Sequence, residues 1–313
     1  NAFLKKTIIS FGKPSDANLI IAPFMGYKQS IIRGAIFIIA AELVLTMNGA
    51  IIRLASDGLP NEMIVFFRNA FGLLSLMPIF AREGASIIRT EKIHLHLLRG
   101  FCGISAMYSL FYVLGSIQLA NAMLIKSTIP IFIPLVAFGW LKEKISVVAR
   151  LAIAIGFFGV FLILKPGTDF NWVMLIGLVS SAFASVSMVT IRKLSATEPA
   201  VRTVLYFAII ASSISVIPLT WAWKTPTPKE WLLLIGLGLC STAVQLLTTR
   251  GYASAPASQV GIFSYSSVIF GALIGWLFWK ELWDINSLIG AIFITAAGFL
   301  TLRSRDKTVS VNE

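Results

Sequence analysis

Charge is scarce in this chain. Only 13% of its 313 residues are charged, against 57% hydrophobic, where an ordinary soluble domain carries about 25% charged residues. Fourteen acids and twenty-six bases do not make the polar surface that a water-soluble chain of this length would need. That excludes a soluble enzyme, a disordered chain and a fibrous repeat, and leaves a polytopic membrane protein. Cysteine and histidine are nearly missing, at two of each. Cys102 and Cys240 lie in separate apolar stretches and read as buried free thiols, not as a disulfide framework. His94 and His96 flank one span near a loop, and with two distant cysteines they make no zinc set. No GxxxxGK[ST] segment and no nucleophile–base pair occurs, so neither ATP hydrolysis nor another enzyme activity is expected, and no cofactor. The net charge of +12 falls in short gaps between apolar runs, not on one face as a nucleic-acid binder would have it.

Ten stretches are long enough to cross a bilayer, which takes about 20 apolar residues. They lie near 32–55, 61–80, 95–115, 119–141, 148–165, 171–191, 201–222, 230–250, 256–279 and 285–302. The gaps carry turn punctuation: Asp57-Gly58-Leu59-Pro60, Lys165-Pro166-Gly167 and Lys224-Thr225-Pro226. With the N-terminus placed inside, Arg53, Lys165, Lys224, Lys229 and Lys280 fall outside, and Arg68 and Lys126 fall within spans. The other basic residues lie on the inner side, a bias that puts both termini in the cytoplasm. Residues 1–30 carry Lys5, Lys6, Lys13, Asp16 and Lys28 and lack a single apolar core with a cleavage site. They read as a cytoplasmic arm, with an interfacial segment around Leu19–Met25, and not as a signal peptide. Residues 304–313 read as a cytoplasmic tail.

The two halves echo each other. Gly139-Trp140-Leu141-Lys142-Glu143 closes the fourth span, and Gly275-Trp276-Leu277-Phe278-Trp279-Lys280-Glu281 closes the ninth. Upstream stand Leu119-Ala120-Asn121-Ala122 and Pro256-Ala257-Ser258-Gln259; downstream each half ends in a Gly/Ala-rich span. The offset of roughly five spans is odd, so the second repeat (167–303) must lie upside down relative to the first (31–166), the usual framework of secondary transporters. The expected fold is therefore an all-α integral membrane protein of ten transmembrane helices in two inverted five-helix repeats.

These residues carry a family resemblance. Leu98-Arg99-Gly100, Ala120-Asn121-Ala122 through Pro130 and Lys142-Glu143, and Ser241-Thr242-Ala243 through Ala257, Tyr265 and Glu281 resemble the EamA-type drug/metabolite transporters over about residues 32–303. Within that family, Val65-Phe66-Phe67-Arg68-Asn69, His96-Leu97-Leu98-Arg99-Gly100 and Leu164-Lys165-Pro166 look like the bacterial S-adenosylmethionine uptake carriers. The resemblance implies transport of a small metabolite across a bacterial cytoplasmic (inner) membrane, with a small-molecule substrate, the lipid bilayer and protons as partners and a homodimer as an open question. A non-transporting membrane receptor or assembly component is the alternative.

Glu42 is the sharpest candidate. The other thirteen acids lie in loops, tails or span ends, whereas Glu42 stands about ten residues into the first span. A carboxylate at that depth costs roughly 2.5–3.5 kcal/mol on insertion scales. It must face a cavity, pair with a cation or take a proton. Thr46, Gly49 and Arg53 follow on the same helical face and make a polar stripe suited to a pathway lining. Lys126, in the fourth span, either pairs with Glu42, binds a substrate carboxylate or snorkels. Pro130 and Pro134 are expected to kink that span, opposite Ser264, Tyr265, Ser266, Ser267 and Gly271 of the second half. Arg68 reads as structural or substrate-binding. Phe101, Ser105, Tyr108 and Tyr112 share one face of the third span; Tyr108, Tyr112 and Tyr265 are candidate ligand contacts. Gln245, with Ser241 and Thr248 on its face, is a further one. Asn48 and Asn121 either bind substrate or join helices. Gly271 and Gly275 read as close helix packing.

Overall fold

The computed structural model describes residues 31–83, 88–141, 145, 147–164, 171–194, 197–254 and 261–309. The N-terminal arm with its Leu19–Met25 segment, the markers Lys142-Glu143, Lys165-Pro166-Gly167 and Pro256-Ala257-Ser258-Gln259, and the side chain of Gln245 lie outside that description.

The described chain is all-helical. In order it forms α1 (Ile31–Ser56), α2 (Asn61–Glu83), α3 (Ile93–Ser116), α4 (Leu119–Lys126), α5 (Ile129–Leu141), α6 (Val147–Leu164), α7 (Trp172–Leu194), α8 (Ala200–Val216), α9 (Leu219–Ala222) and α10 (Pro228–Ser254). A 3-10 turn (Gly261–Tyr265), α11 (Ser266–Trp279) and α12 (Ile285–Val309) complete it. Five segments have the length and apolarity to cross a membrane outright: Ile32–Ser56, Ile93–Ser116, Leu119–Trp140, Val147–Leu164 and Trp172–Ile191. Val201–Val216, Phe263–Trp279 and Ile285–Leu300 are apolar but shorter. α2 and α10 have the length, at 23 and 27 residues, but are more polar along their course. These two helices pack on each other, so their polar groups turn inward.

The fourth span breaks between α4 and α5, at Ser127 and Thr128, just before the proline expected to kink it. Pro130 has no N–H to give the carbonyl of Lys126, and its ring would collide with that carbonyl. α4 therefore ends at Lys126, and Pro130 falls in the first turn of α5, where a missing N–H is harmless. The end of α4 is closed by the next two residues: Ser127 gives both its N–H and its hydroxyl to Met123 O, at 3.0 and 2.9 Å, and Thr128 gives both to Ile125 O, at 3.0 and 2.6 Å. The ninth span is irregular at the corresponding place, where the 3-10 turn meets α11 and Ser267 Oγ donates to Ser264 O at 3.0 Å.

Packing follows a two-fold pattern. α1 lies on α10 as α7 lies on α3, and α2 lies on α10 as α8 lies on α3. α1 meets α11 as α7 meets α4 and α5, while α4–α11, α6–α12 and α2–α8 are pairs of counterparts. The pattern is incomplete: α1 and α2 also pack on α3, and neither α7 nor α8 makes a comparable contact with α10.

The α6–α12 contact depends on glycine. A Cβ on Gly159 would stand 2.9 Å from the carbonyl oxygen of Gly290, and a Cβ on Gly290 would stand 2.8 Å from that of Gly159. Backbone on both sides cannot give way. Gly159→Val is expected to lower stability by about 1–3 kcal/mol, as overpacking does. Gly72→Ala, with nothing within 4 Å of the added carbon, should melt like wild type. Thermal melts of the two purified variants in detergent check this, and equal melting would refute the close approach.

Candidate functional site

Two charges set deep in the first half meet. Lys126 Nζ lies 3.0 Å from Glu42 Oε2, with side chains only 19% and 13% exposed. Lys126 is the last residue of α4, so the helix end adds its carbonyl dipoles to the attraction for an ammonium. The helix break thus places a cation beside the acid of α1.

The stripe beyond Glu42 is not an open lining. Thr46 is fully buried, and its hydroxyl donates back to Glu42 O at 2.7 Å. Gly49 packs against Leu119, Met123 and Leu114. Arg53 pairs with Glu281 and lies 4.6 Å over the Trp279 ring; the other oxygen of Glu281 accepts the Leu119 N–H at 3.1 Å. Small and polar residues in a row are what lets another helix come close in lipid, and here α4 and α11 close over them. Gly271 serves the same contact: a Cβ there would stand 3.1 Å from Ala120 Cα and 3.2 Å from Met123 Cγ. Gly275 leaves room for the Glu281 carboxylate.

Arg68 belongs to a second buried group. Its Nε donates to Ser241 Oγ at 3.2 Å and its Nη1 to Asn69 Oδ1 at 2.9 Å. Asn48 Nδ2 donates to the same Ser241 Oγ at 3.1 Å, and Ser75 and Thr242 hydroxyls pair at 2.8 Å. This group ties α1, α2 and α10 together. Gln245 follows Ser241 by one turn of α10.

The tyrosines do not join either group. Tyr265 is buried, with its hydroxyl against Gly298. The Tyr108 hydroxyl is buried as well, and neither hydroxyl has a partner among the described residues. Tyr112 is 48% exposed and Phe101 more so, so the expected aromatic face of the third span points outward. Asn121 bonds locally to Gln118, at 3.2 Å. Cys102 and Cys240 are free thiols.

Comparison with known proteins fixes the class. The EamA-like transporter family matches twice, over residues 32–165 and 171–303. The chain belongs to that family. As an EamA-like protein it is a multi-pass membrane transporter of small metabolites and not an enzyme. It is 30% identical over 276 residues to the pseudopaline exporter CntI of Pseudomonas aeruginosa, covering 87% of this chain and 96% of that one. It is 26% identical to a riboflavin transporter of Vibrio cholerae, over 88% and 95% of the two chains. With an S-adenosylmethionine uptake transporter of Rickettsia bellii it shares 27%, over 79% and 85%. A solved crystal structure has the same fold, with a TM-score of 0.59 and 16% identity over 88% of this chain and 96% of the other.

This EamA-like chain also carries ionic contacts that sequence reading missed. Glu281 served there as a repeat and family marker, and Ser241 as a family marker and a neighbour of Gln245, neither as a partner of a charge. Glu198 sits in a loop, where an acid is normally solvated and gives no signal. Instead its side chain is buried and accepts Thr90 Oγ1 at 2.6 Å and Arg202 Nη1 at 2.7 Å, with His96 Nε2 at 3.8 Å. Tyr206 stacks on His96 at 4.3 Å and donates to Ile88 O at 2.5 Å. The cluster clamps the segment before α3 to the start of α8. Burial pushes the Glu198 carboxyl up, but the bonds from Thr90 and Arg202 and the charge of Arg202 outweigh it and hold its pKa below the usual carboxylate range. A carboxyl depressed in the folded state stabilises above its unfolded pKa, and that contribution disappears as pH falls through the folded value. Glu198→Gln should therefore melt below wild type at neutral pH, and the gap should close in acid. A gap that persists unchanged in acid would contradict the clamp.

Proposed function

We propose that this chain is a secondary active carrier that moves a cationic or zwitterionic small metabolite across the bacterial cytoplasmic membrane by alternating access. The observation that carries the reading is the Glu42–Lys126 ion pair, held at 3.0 Å beside a broken helix. A buried pair of this kind is poor value for stability alone, since desolvation offsets most of the attraction. It is well suited to a switch. A proton or a substrate cation that takes Glu42 releases Lys126, and the local charge balance changes within the protein.

The two-fold packing pattern supports two inverted five-helix repeats, and the irregular fourth and ninth spans support a site between them. The charge bias supports both termini inside. With that orientation the Arg53–Glu281 contact lies at the outer end, where α1 also packs on α3. The counterpart pair, α7 and α10, makes no comparable contact among the described residues. That difference is the one expected of a carrier open to the cytoplasm, with rocking of the first four spans against the sixth to ninth closing it. The relatives named for S-adenosylmethionine uptake and for riboflavin supply the first substrates to try, and proton coupling through Glu42 is the expected drive.

Purified protein in liposomes should take up one of S-adenosylmethionine, riboflavin, polyamines or amino acids, with a rate that depends on pH. Glu42→Gln should lose most of that rate and its pH dependence together. Removing one partner of a buried pair costs about 3–5 kcal/mol and removing both costs less, so the Glu42→Gln/Lys126→Met double variant should melt above either single one. Transport by Glu42→Gln with the wild-type pH profile would refute the coupling role.

A further inference from the structure

Arg53 and Lys126 both have carboxylate partners, Glu281 and Glu42. Two other arginines, the buried Arg99 and the partly buried Arg68, have none among the described residues. Arg99, six residues into α3, gives a donor to Thr203 O, lies over the Phe207 ring and sits in the field of the His96–Glu198–Arg202 cluster, which contains an acid. Arg68 is different. It stands seven residues into α2, about 10 Å along it by helix rise, and its partners are neutral, Ser241 and Asn69. Those two bonds use two of the five guanidinium donors. Around it, Asn69 Nδ2 and Asn48 Oδ1 are buried with no hydrogen-bond partner among the described residues, on side chains 2% and 5% exposed. A lone cation beside orphaned amide atoms in a membrane interior is a functional feature by default.

We propose that Arg68 and Asn69, with Ser241, form an anion subsite that takes the carboxylate of the transported metabolite. The proposal rests on the carrier reading above and adds a required group to the substrate. The guanidinium is planar and forked, and matches a carboxylate with two parallel bonds. One negative charge balances one arginine, whereas a phosphate dianion would leave an excess charge in the interior. Asn69 Nδ2 adds a neutral donor, and Ser241 and the Asn69 carbonyl oxygen hold the guanidinium in place. The carboxylate thus goes to Arg68, which has no counter-charge among the described residues, whereas Lys126 starts out paired with Glu42. Glu42 keeps the cationic part of the ligand, and the two subsites together select a zwitterion.

The probes are sodium acetate, methionine and 3-methylthiopropylamine, which is methionine without its carboxylate. Each is titrated against the purified full chain at constant ionic strength, and the melting temperature is read. Acetate and methionine should raise it above chloride, and the amine should not. Arg68→Gln should abolish the shift and melt no lower than wild type, because an unbalanced buried charge is gone. Ser241→Ala keeps the charge but loosens its aim, and should weaken the carboxylate response about tenfold, the loss expected for one hydrogen bond to a charged group. No carboxylate response in wild type, an unchanged response in Arg68→Gln, or a collapse in its stability would each overturn the subsite. Liposome flux separates the two readings. Carboxylate binding lost in Arg68→Gln, with no probe moved by wild type, keeps the subsite and sinks the carrier cycle. Equal flux of a carboxylate substrate through wild type and Arg68→Gln does the reverse.

Discussion

A backbone carbonyl freed in the middle of a bilayer has no water to turn to. That constraint governs the region on which the candidate site depends. Pro130 denies the carbonyl of Lys126 its helical partner and the chain breaks there, whereas α5 runs on through Pro134. The break is held in shape by Ser127 and Thr128, whose N–H and hydroxyl groups bond back to Met123 O and Ile125 O, and by α1, α7 and α11, which pack on α4. It leaves Lys126 at a helix end, close enough to Glu42 to neutralise it. The acid of α1 therefore owes its environment to a proline four residues beyond its partner. Glycines at 49 and 271 allow the approach on either side of α4.

The same constraint explains why α2 and α10 differ from the other long helices. A lipid-facing helix cannot carry Arg68, Asn69, Ser241 and Thr242, but two helices that face each other can share them. Their polarity is thus a sign of position in the bundle and of chemistry held inside it. The contrast with the Arg53–Glu281 and Glu198–Arg202 contacts is informative. Those pair opposite charges near helix ends, where they fasten elements to one another. The Arg68 group has a charge and no counter-charge among the described residues, which is a poor way to fasten helices.

Much of this was legible in the sequence, for reasons that can be named. The helices followed from apolar run length, and the weight on Glu42 and Lys126 followed from their depth, since few ionisable residues stand so far from a span end. The repeat was visible because Trp and Lys-Glu recur at the ends of matching spans. The break was expected at its cause, Pro130, but falls at Ser127 and Thr128 because a proline acts on the carbonyl four residues back. The orientation of aromatics was not legible. Tyr112 and Phe101 share a helical face, yet in a chain whose lipid surface is as apolar as its core nothing in the pattern says which face is outside. Partners distant in sequence were hidden for a related reason. Glu281 lies 228 positions from Arg53, and Glu198 lies 108 from Thr90. Only the fold joins them.

The two halves repeat a fold but not its chemistry. About one repeat after Glu42 stand Ser180 and Ser181, which donate to Ala106 O and Ile125 O, and 138 positions after Lys126 stands Ser264. The ion pair therefore belongs to one half alone. In a fully symmetric duplication the two closed ends would be built alike, and closing one or the other would differ little in energy. Placing the charges in the first half ties their state to the end where α1 meets α3, α4 and α11. On the carrier reading proposed above, an event at Glu42 then weighs on that end more than on its counterpart, where α7 and α10 make no contact comparable to that of α1 and α3. A differential of that kind is what a bound cation or proton needs in order to shift a two-state equilibrium, since a ligand that affects both states equally shifts nothing.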